Sequence, residues 1–210
     1  MFAAGGFGEP NRKRRNYQDA WFAGVGRYGA ILVICDGIGG GFAGAEAAQT
    51  AVNVVSQQLM HARPDESLLY QAILHAQRCL NPWFQRDSGG TTIAAGVLTG
   101  SRWLVGAVGD SQAYIGPPYS RLERVTFPPQ EGALTNWLGS SQQISPFIAA
   151  GETVEGMSLV LTSDGIDVAD LWYRGEGVDE SLLRYRAEGR RLKGDDATLV
   201  MAVSGSRRWA

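Results

Sequence analysis

Four apolar runs in this 210-residue sequence end or begin at an aspartate that stands beside a glycine or another acid. They are ILVICDG with Asp36, LVGAVGDS with Asp110, LVLTSDG with Asp164, and KGDDATLVMAV with Asp195 and Asp196. A fifth run, QDAWFAGV, puts Asp19 just ahead of a strand. One aspartate after a strand is ordinarily a turn residue, because its side chain bonds nearby backbone. Five such positions in a chain with only 21 acidic residues weaken that reading. If the strand ends converge, their carboxylates crowd, and like charges that close cannot all stay ionised without a cation. The chain has only two histidines, His61 and His75. A histidine-rich metal site, or a nucleophile relying on a histidine base, therefore has little to work with. The cation expected is hard and oxygen-bound, Mg²⁺ or Mn²⁺.

The stretch VICDGIGGGFAG, residues 33–44, admits a second chemistry. From Gly39 it reads G-x-G-x-x-G between an apolar run and an alanine-rich segment, the setting of a dinucleotide pyrophosphate cradle. Asp36 would then bring negative charge toward the pyrophosphate. The acid such a fold places about 20 residues on is missing; after Glu46 the next is Asp65, 26 residues beyond Gly39. The metal reading is the stronger, with the glycines serving a sharp turn and leaving room for a phosphorylated substrate.

These acids need strands to position them. Ala20 to Val25 and Ala30 to Cys35 read as strands joined by a glycine-containing turn. The pattern is helical from Ala43 to about Met60, and again from Asp65, as N-cap, to Leu80. Strands follow at Thr91 to Leu98, Trp103 to Val108, Gln112 to Ile115 and Leu122 to Thr126. Pro128 to Gln143 reads as loop with a short helix around Leu134 to Leu138. A strand over Ser158 to Thr162, a helix over Val178 to Glu188 and a closing strand over Ala197 to Val203 complete the chain. Hairpin-spaced strands with two helices in one insertion do not alternate as βαβ units, so the expected fold is α+β, with antiparallel sheets and helices packed outside. With 44% hydrophobic residues and no linker, one domain over residues 1–210 is expected.

A net charge of -2 gives no overall pull toward nucleic acid or anionic membrane. The basic run Asn11 to Arg15 lacks interleaved aromatics, so no nucleic-acid partner is expected. The N-terminal segment lacks the apolar core of a secretory signal, and no apolar run approaches a membrane span. Cys35 and Cys79 have no C-x-x-C spacing, which predicts neither disulfide nor zinc and points to the cytoplasm. Trp21, Trp83, Trp103, Trp137 and Trp172 read as core or helix-sheet contacts.

The motifs DGIGG, GGTT (Gly89 to Thr92), GDSQAY, LTSDG and DDAT, in this order, resemble those of the metal-dependent type-2C serine/threonine protein phosphatases. The resemblance runs from about Arg14 to Val203. It implies a layered α-β-β-α sandwich of two antiparallel sheets flanked by helices, with two Mn²⁺ or Mg²⁺ ions at one end. Asp36 resembles the aspartate that bridges the ions, with the Gly37 carbonyl as a further ligand. Asp19 resembles the acid that supports this set from before the first strand. Asp164 and Asp195 resemble the ligands completing the second ion's shell, and Asp110 resembles the acid that helps hold a weaker third ion in bacterial members. Arg14 resembles the phosphate-binding arginine, with Arg12 and Arg15 as alternatives.

The sequence also departs from that family. Tyr17 stands where asparagine is common, and Gln18 where some members carry a metal-linked glutamate. Ile38 replaces the proposed general-acid histidine of eukaryotic members, and Asp196 replaces the usual asparagine after the last ligand. The segment Gly116 to Gln143 is shorter than the flap of typical bacterial members. The activity implied is hydrolysis of phosphoserine and phosphothreonine in phosphoproteins without a phosphoenzyme, a hydroxide bridging the two ions acting as nucleophile. The implied partner is a phosphoprotein with a cognate Ser/Thr kinase, and a monomer is expected. The alternative is a degenerate phosphatase-fold module that binds a phosphoprotein or signalling partner without turning it over.

Overall fold

Strand alternation accounts for most of the architecture. In the run AILVIC all six residues are buried. Ile31, Val33 and Cys35 face one apolar cluster, while Ala30, Leu32 and Ile34 face another. A strand buried on both faces must lie between two layers.

The computed structural model describes residues 1–11, 17–39, 42–84, 89–126, 134, 136–140, 143–192 and 194–205. In chain order the elements begin with β1 (Phe2–Glu9), β2 (Ala20–Val25), β3 (Ala30–Cys35) and β4 (Gly37–Ile38). Two helices follow, α1 (Phe42–His61) and α2 (Glu66–Phe84). Next come β5 (Gly90–Thr91), β6 (Ile93–Leu98), β7 (Arg102–Val108), β8 (Gln112–Gly116), β9 (Ser120–Arg121) and β10 (Glu123–Arg124). The chain continues with β11 (Phe147–Glu152), β12 (Ser158–Thr162), β13 (Ile166–Asp167) and β14 (Trp172–Tyr173). It closes with α3 (Val178–Glu188), β15 (Arg190–Arg191) and β16 (Ala197–Ser204).

Two five-stranded antiparallel sheets result, ordered β1-β16-β12-β8-β10 and β11-β7-β6-β3-β2. Leu32 and Ile34 of one meet Leu159, Leu161 and Val200 of the other between the sheets. On the outside of the second sheet, α1 buries Ala47, Ala48, Ala51, Val52, Val55 and Leu59, spaced to form one helical stripe. Its small residues let the helix lie close to the sheet. Asp65 caps α2, its Oδ1 accepting the Leu68 N–H at 2.7 Å, one of the donors a helix start leaves open. Val178 and Tyr185 of α3 pack with Leu199 and Met201 on the outside of the first sheet. The order is α-β-β-α, the layered sandwich expected from the sequence.

Several local expectations need correction. The described residues of 134–138 are not helical. Leu138 instead exchanges backbone hydrogen bonds with Thr91, at 2.8 and 3.0 Å, and Gly139 follows at φ 88. With its N–H and carbonyl committed across to Thr91, Leu138 cannot serve a helical ladder. The expected strand from Leu122 to Thr126 shortens to β10. Two long strands, β1 and β11, have no counterpart among the elements expected from the sequence, and neither do the two-residue strands β4, β9, β13, β14 and β15. Trp21 and Trp172 are 37% and 56% exposed rather than core, and the Trp83 side chain lies outside the described residues. No described helix is long and apolar enough to cross a membrane.

Candidate metal centre

Sheet register carries the aspartates to one end of the sandwich. Ala20 pairs with Cys35, so Asp19, just before β2, and Asp36, just after β3, leave the same edge. In the other sheet Thr162 pairs with Leu199, so Asp164 leaves β12 where Asp195 and Asp196 lead into β16. One carboxylate oxygen from each of Asp36, Asp164 and Asp195 lies within 4.8 Å of the others. Cys35 faces the helix-side core, so no thiol joins the group.

The charges are strongly opposed. Burial pushes the Asp36 carboxyl up to about 11, helped by the charges of Asp19, Asp164 and Asp195 and by a hydrogen bond with Asp164. Burial likewise pushes Asp19 up to about 7, with Asp196 and Asp195 adding repulsion against the pull of the Thr198 hydroxyl. Asp19 Oδ1 is buried with no hydrogen-bond partner among the described residues. A buried carboxylate oxygen lacking a donor costs about 1–3 kcal/mol or more. Three converging carboxylates and one orphaned oxygen form a hard, anionic donor set, and such a set suits a divalent cation held through oxygen.

The surroundings hold these groups still. Thr198 Oγ1 donates to Asp19 Oδ2 at 2.6 Å, and the Tyr17 hydroxyl lies 2.5 Å from the same Thr198 oxygen. The Asp36 N–H donates to Thr92 Oγ1 at 3.2 Å, and the Asp36 carbonyl accepts from the Thr92 N–H and from Thr91 Oγ1, each at 2.9 Å. Gly37 follows in β4 with no room for a side chain. A Cβ there would lie 2.5 Å from the Gly44 carbonyl group and 2.7 Å from the Gln18 carbonyl oxygen. Gly37 therefore serves close backbone approach beside Asp36.

Asp110 lies outside the three-carboxylate group but is tied to it. Its neighbour Ser111 shares a 2.8 Å hydrogen bond with Thr92 Oγ1, which also accepts from Asp36. Burial raises the Asp110 carboxyl above its ordinary range, and Asp195 adds to the rise. Asp196 does not join the group. Its two oxygens accept the backbone N–H of Asn11 at 2.7 Å and of Gln18 at 2.9 Å. Arg14, and with it Arg12 and Arg15, lies outside the described residues.

Sequence reasoning missed Thr198, Thr92, Ser111 and the work of Asp196. Thr92, Asp110–Ser111 and Asp196–Thr198 sit inside the motifs GGTT, GDSQAY and DDAT. A hydroxyl or second acid recurring beside each strand-end aspartate was the available signal.

The sequence profile of a family described as protein phosphatase 2C matches residues 11–194. None of the curated proteins matches the sequence. Among solved structures, the Mycobacterium tuberculosis serine/threonine phosphatase PstP/Ppp is 20% identical with a TM-score of 0.76, covering 98% of this chain and 99% of that one. The Staphylococcus aureus serine/threonine phosphatase Stp1 is 19% identical with a TM-score of 0.75, covering 98% and 96%. The catalytic domain of PstP in complex with two manganese ions is 18% identical with a TM-score of 0.76, covering 98% and 99%. At these identities the structural likeness speaks for the fold.

Proposed function

This chain belongs to the protein phosphatase 2C family, and on that premise we propose that it hydrolyses phosphoserine and phosphothreonine in phosphoproteins, using two divalent cations, Mn²⁺ or Mg²⁺. The observation that carries the reading is the convergence of Asp36, Asp164 and Asp195 from two different sheets onto one point. Asp36 would bridge the two ions with the Gly37 carbonyl beside it. Asp164 and Asp195 would complete the ligands of one, Asp19 would support the set, and Asp110 would serve a weaker third. Two bound cations supply Lewis acidity, which brings the pKa of a water toward neutrality and offsets phosphoryl charge.

The chain's own residues set up the rest. Burial and mutual repulsion raise the carboxyls of Asp36 and Asp19, so binding of cations there would displace protons from them. Thr198 and Thr92 fix the carboxylates and backbone that present them, and Arg14 would grip phosphate oxygens bidentately. His61 and His75 lie at the end of α1 and within α2, and the His75 Nδ1 is engaged with Gln58. This supports direct hydrolysis over a protein nucleophile activated by histidine. A cognate Ser/Thr kinase would supply the substrate, and free Cys35 and Cys79 suit a reducing cytoplasm.

The test is turnover of a small chromogenic phosphate ester. Chelation should abolish it, and Mn²⁺ or Mg²⁺ should restore it. Restoration by Zn²⁺ alone would overturn the cation assignment. Phosphopeptide binding without any turnover would make the chain a binding module instead.

A further inference from the structure

The segment that meets β5 carries a tryptophan whose placement the metal centre does not explain. Leu138 is fully buried and bridges Thr91. Gln77 of α2 fixes the two residues after Leu138, its Oε1 accepting the Gly139 N–H at 2.7 Å and its Nε2 donating to the Ser140 carbonyl at 2.9 Å. Since Leu138 points into the helix-side core, Trp137 points to the opposite face. There the indole lies on Gly90, where an added Cβ would stand 2.4 Å from Trp137 Cδ1 and 2.9 Å from Nε1. Any other residue at position 90 would displace the ring.

Gly90 pairs with Ile38, so those two share a face, and Asp36, two residues before Ile38, alternates onto the same side. Ile38 and Trp137 are both partly exposed, and neither belongs to the apolar clusters of the core. Neighbouring strands lie about 4.8 Å apart, and an extended peptide advances about 3.3 Å per residue. The Asp36 and Trp137 segments flank β5 on opposite sides, two strand spacings or roughly 10 Å apart, so about three residues of such a peptide span from the carboxylates to the indole.

Taking as given that phosphoproteins are dephosphorylated at this centre, we propose that Ile38, Gly90 and Trp137 form an apolar shelf that takes an apolar side chain flanking the phosphorylated residue. The shelf is continuous with the carboxylate centre, and a peptide whose phosphate sits there must cross this face or leave it uncovered. A flat indole held on glycine offers a large apolar surface at little cost in side-chain entropy.

The experiment compares phosphoserine peptides with glycine at all flanking positions against versions carrying leucine at one position within three residues on either side. The wild-type protein with Mn²⁺ should favour leucine at one of these positions about tenfold in kcat/KM, chiefly through KM. In Trp137→Ala that preference should fall to about one, and Trp137→Leu should restore part of it. The ratio of peptide to chromogenic-ester kcat/KM should fall in step, because the ester has no flanking side chain. Absence of a leucine preference in the wild type, or its survival in Trp137→Ala, would overturn the shelf while leaving the phosphatase reading intact. Absence of turnover of every substrate would overturn that reading and the shelf with it. If Trp137→Ala does not fold, the wild-type preference and its loss or retention in Trp137→Ser decide the matter.

Discussion

Thr198 donates to Asp19 Oδ2 at 2.6 Å from a strand that begins 178 positions later in the chain. This hydrogen bond aims one carboxylate while leaving its other oxygen, Oδ1, without a donor. Partners that orient metal-binding groups typically contribute about 10–100-fold in affinity. Thr198→Val keeps the shape and removes the donor, so Mn²⁺ affinity should fall by about that factor in calorimetric titration. Tyr17→Phe removes only the outer hydroxyl and should cost about 1 kcal/mol or less in stability with a smaller loss of affinity. Equal Mn²⁺ affinity in Thr198→Val and wild type would mean that Asp19 is not held through this contact.

The crowding of carboxylates predicts how the metal-free protein responds to pH. A carboxyl whose pKa is raised on folding binds its proton more tightly in the folded chain than in the unfolded one. That contribution is fully present below the unfolded value near 4 and is lost as pH rises through the folded value. For Asp19 the window runs from about 4 to about 7, and for Asp36 it extends to about 11. The metal-free protein should therefore lose melting temperature between pH 5 and 8, and Mn²⁺ should reverse the loss. Binding should release protons, visible as a dependence of the calorimetric heat on the ionisation enthalpy of the buffer. Buffer-independent heats would show that the acids are already ionised in the bare site.

Asp36→Asn separates charge from shape. Removing this carboxylate relieves repulsion from Asp19, Asp164 and Asp195. The metal-free variant should melt no lower than wild type, and higher near pH 8, while losing tight Mn²⁺ binding and ester hydrolysis. Two Mn²⁺ ions bound with wild-type affinity would remove Asp36 from its proposed bridging position.

How far these arrangements can be read from the sequence depends on how local their causes are. The run AILVIC and the stripe from Ala47 to Leu59 announce themselves, because burial of a strand or a helix face leaves a short-range period. The strand-end aspartates are legible for the same reason, each marking where an apolar run stops. By contrast, β1 reads as FAAGGFGE, with no alternation, and forms by pairing along its whole length with β16 from Phe2↔Ser204 to Glu9↔Ala197. Its stabilisation comes from the far end of the chain. The short helix expected near Leu138 fails because a buried glutamine on α2 and a threonine on β5 take the peptide groups such a helix would use. The Asp19–Thr198 contact is equally non-local, and only sheet register brings its partners together.

Asp196 holds the two residues that bracket Arg14 in the chain. Its carboxylate accepts the N–H of Asn11 at 2.7 Å and of Gln18 at 2.9 Å, fixing the two ends between which Arg12, Arg14 and Arg15 lie. An arginine that grips substrate oxygens touches no cation, so Arg14→Ala should leave Mn²⁺ affinity nearly unchanged. Part of the contact is made to the bound phosphate, so KM should rise; part strengthens as charge shifts in the transition state, so kcat should fall. Losing one contact of this kind costs on the order of 2–4 kcal/mol in kcat/KM. Arg12→Ala and Arg15→Ala are the internal controls, expected to change kcat/KM little. A silent Arg14→Ala beside a crippled Arg12→Ala or Arg15→Ala would move the clamp to a neighbour and leave the hydrolytic mechanism standing. Three silent variants would show that no arginine of this segment binds phosphate, and the anchoring of Asn11 and Gln18 by Asp196 would then serve the fold alone.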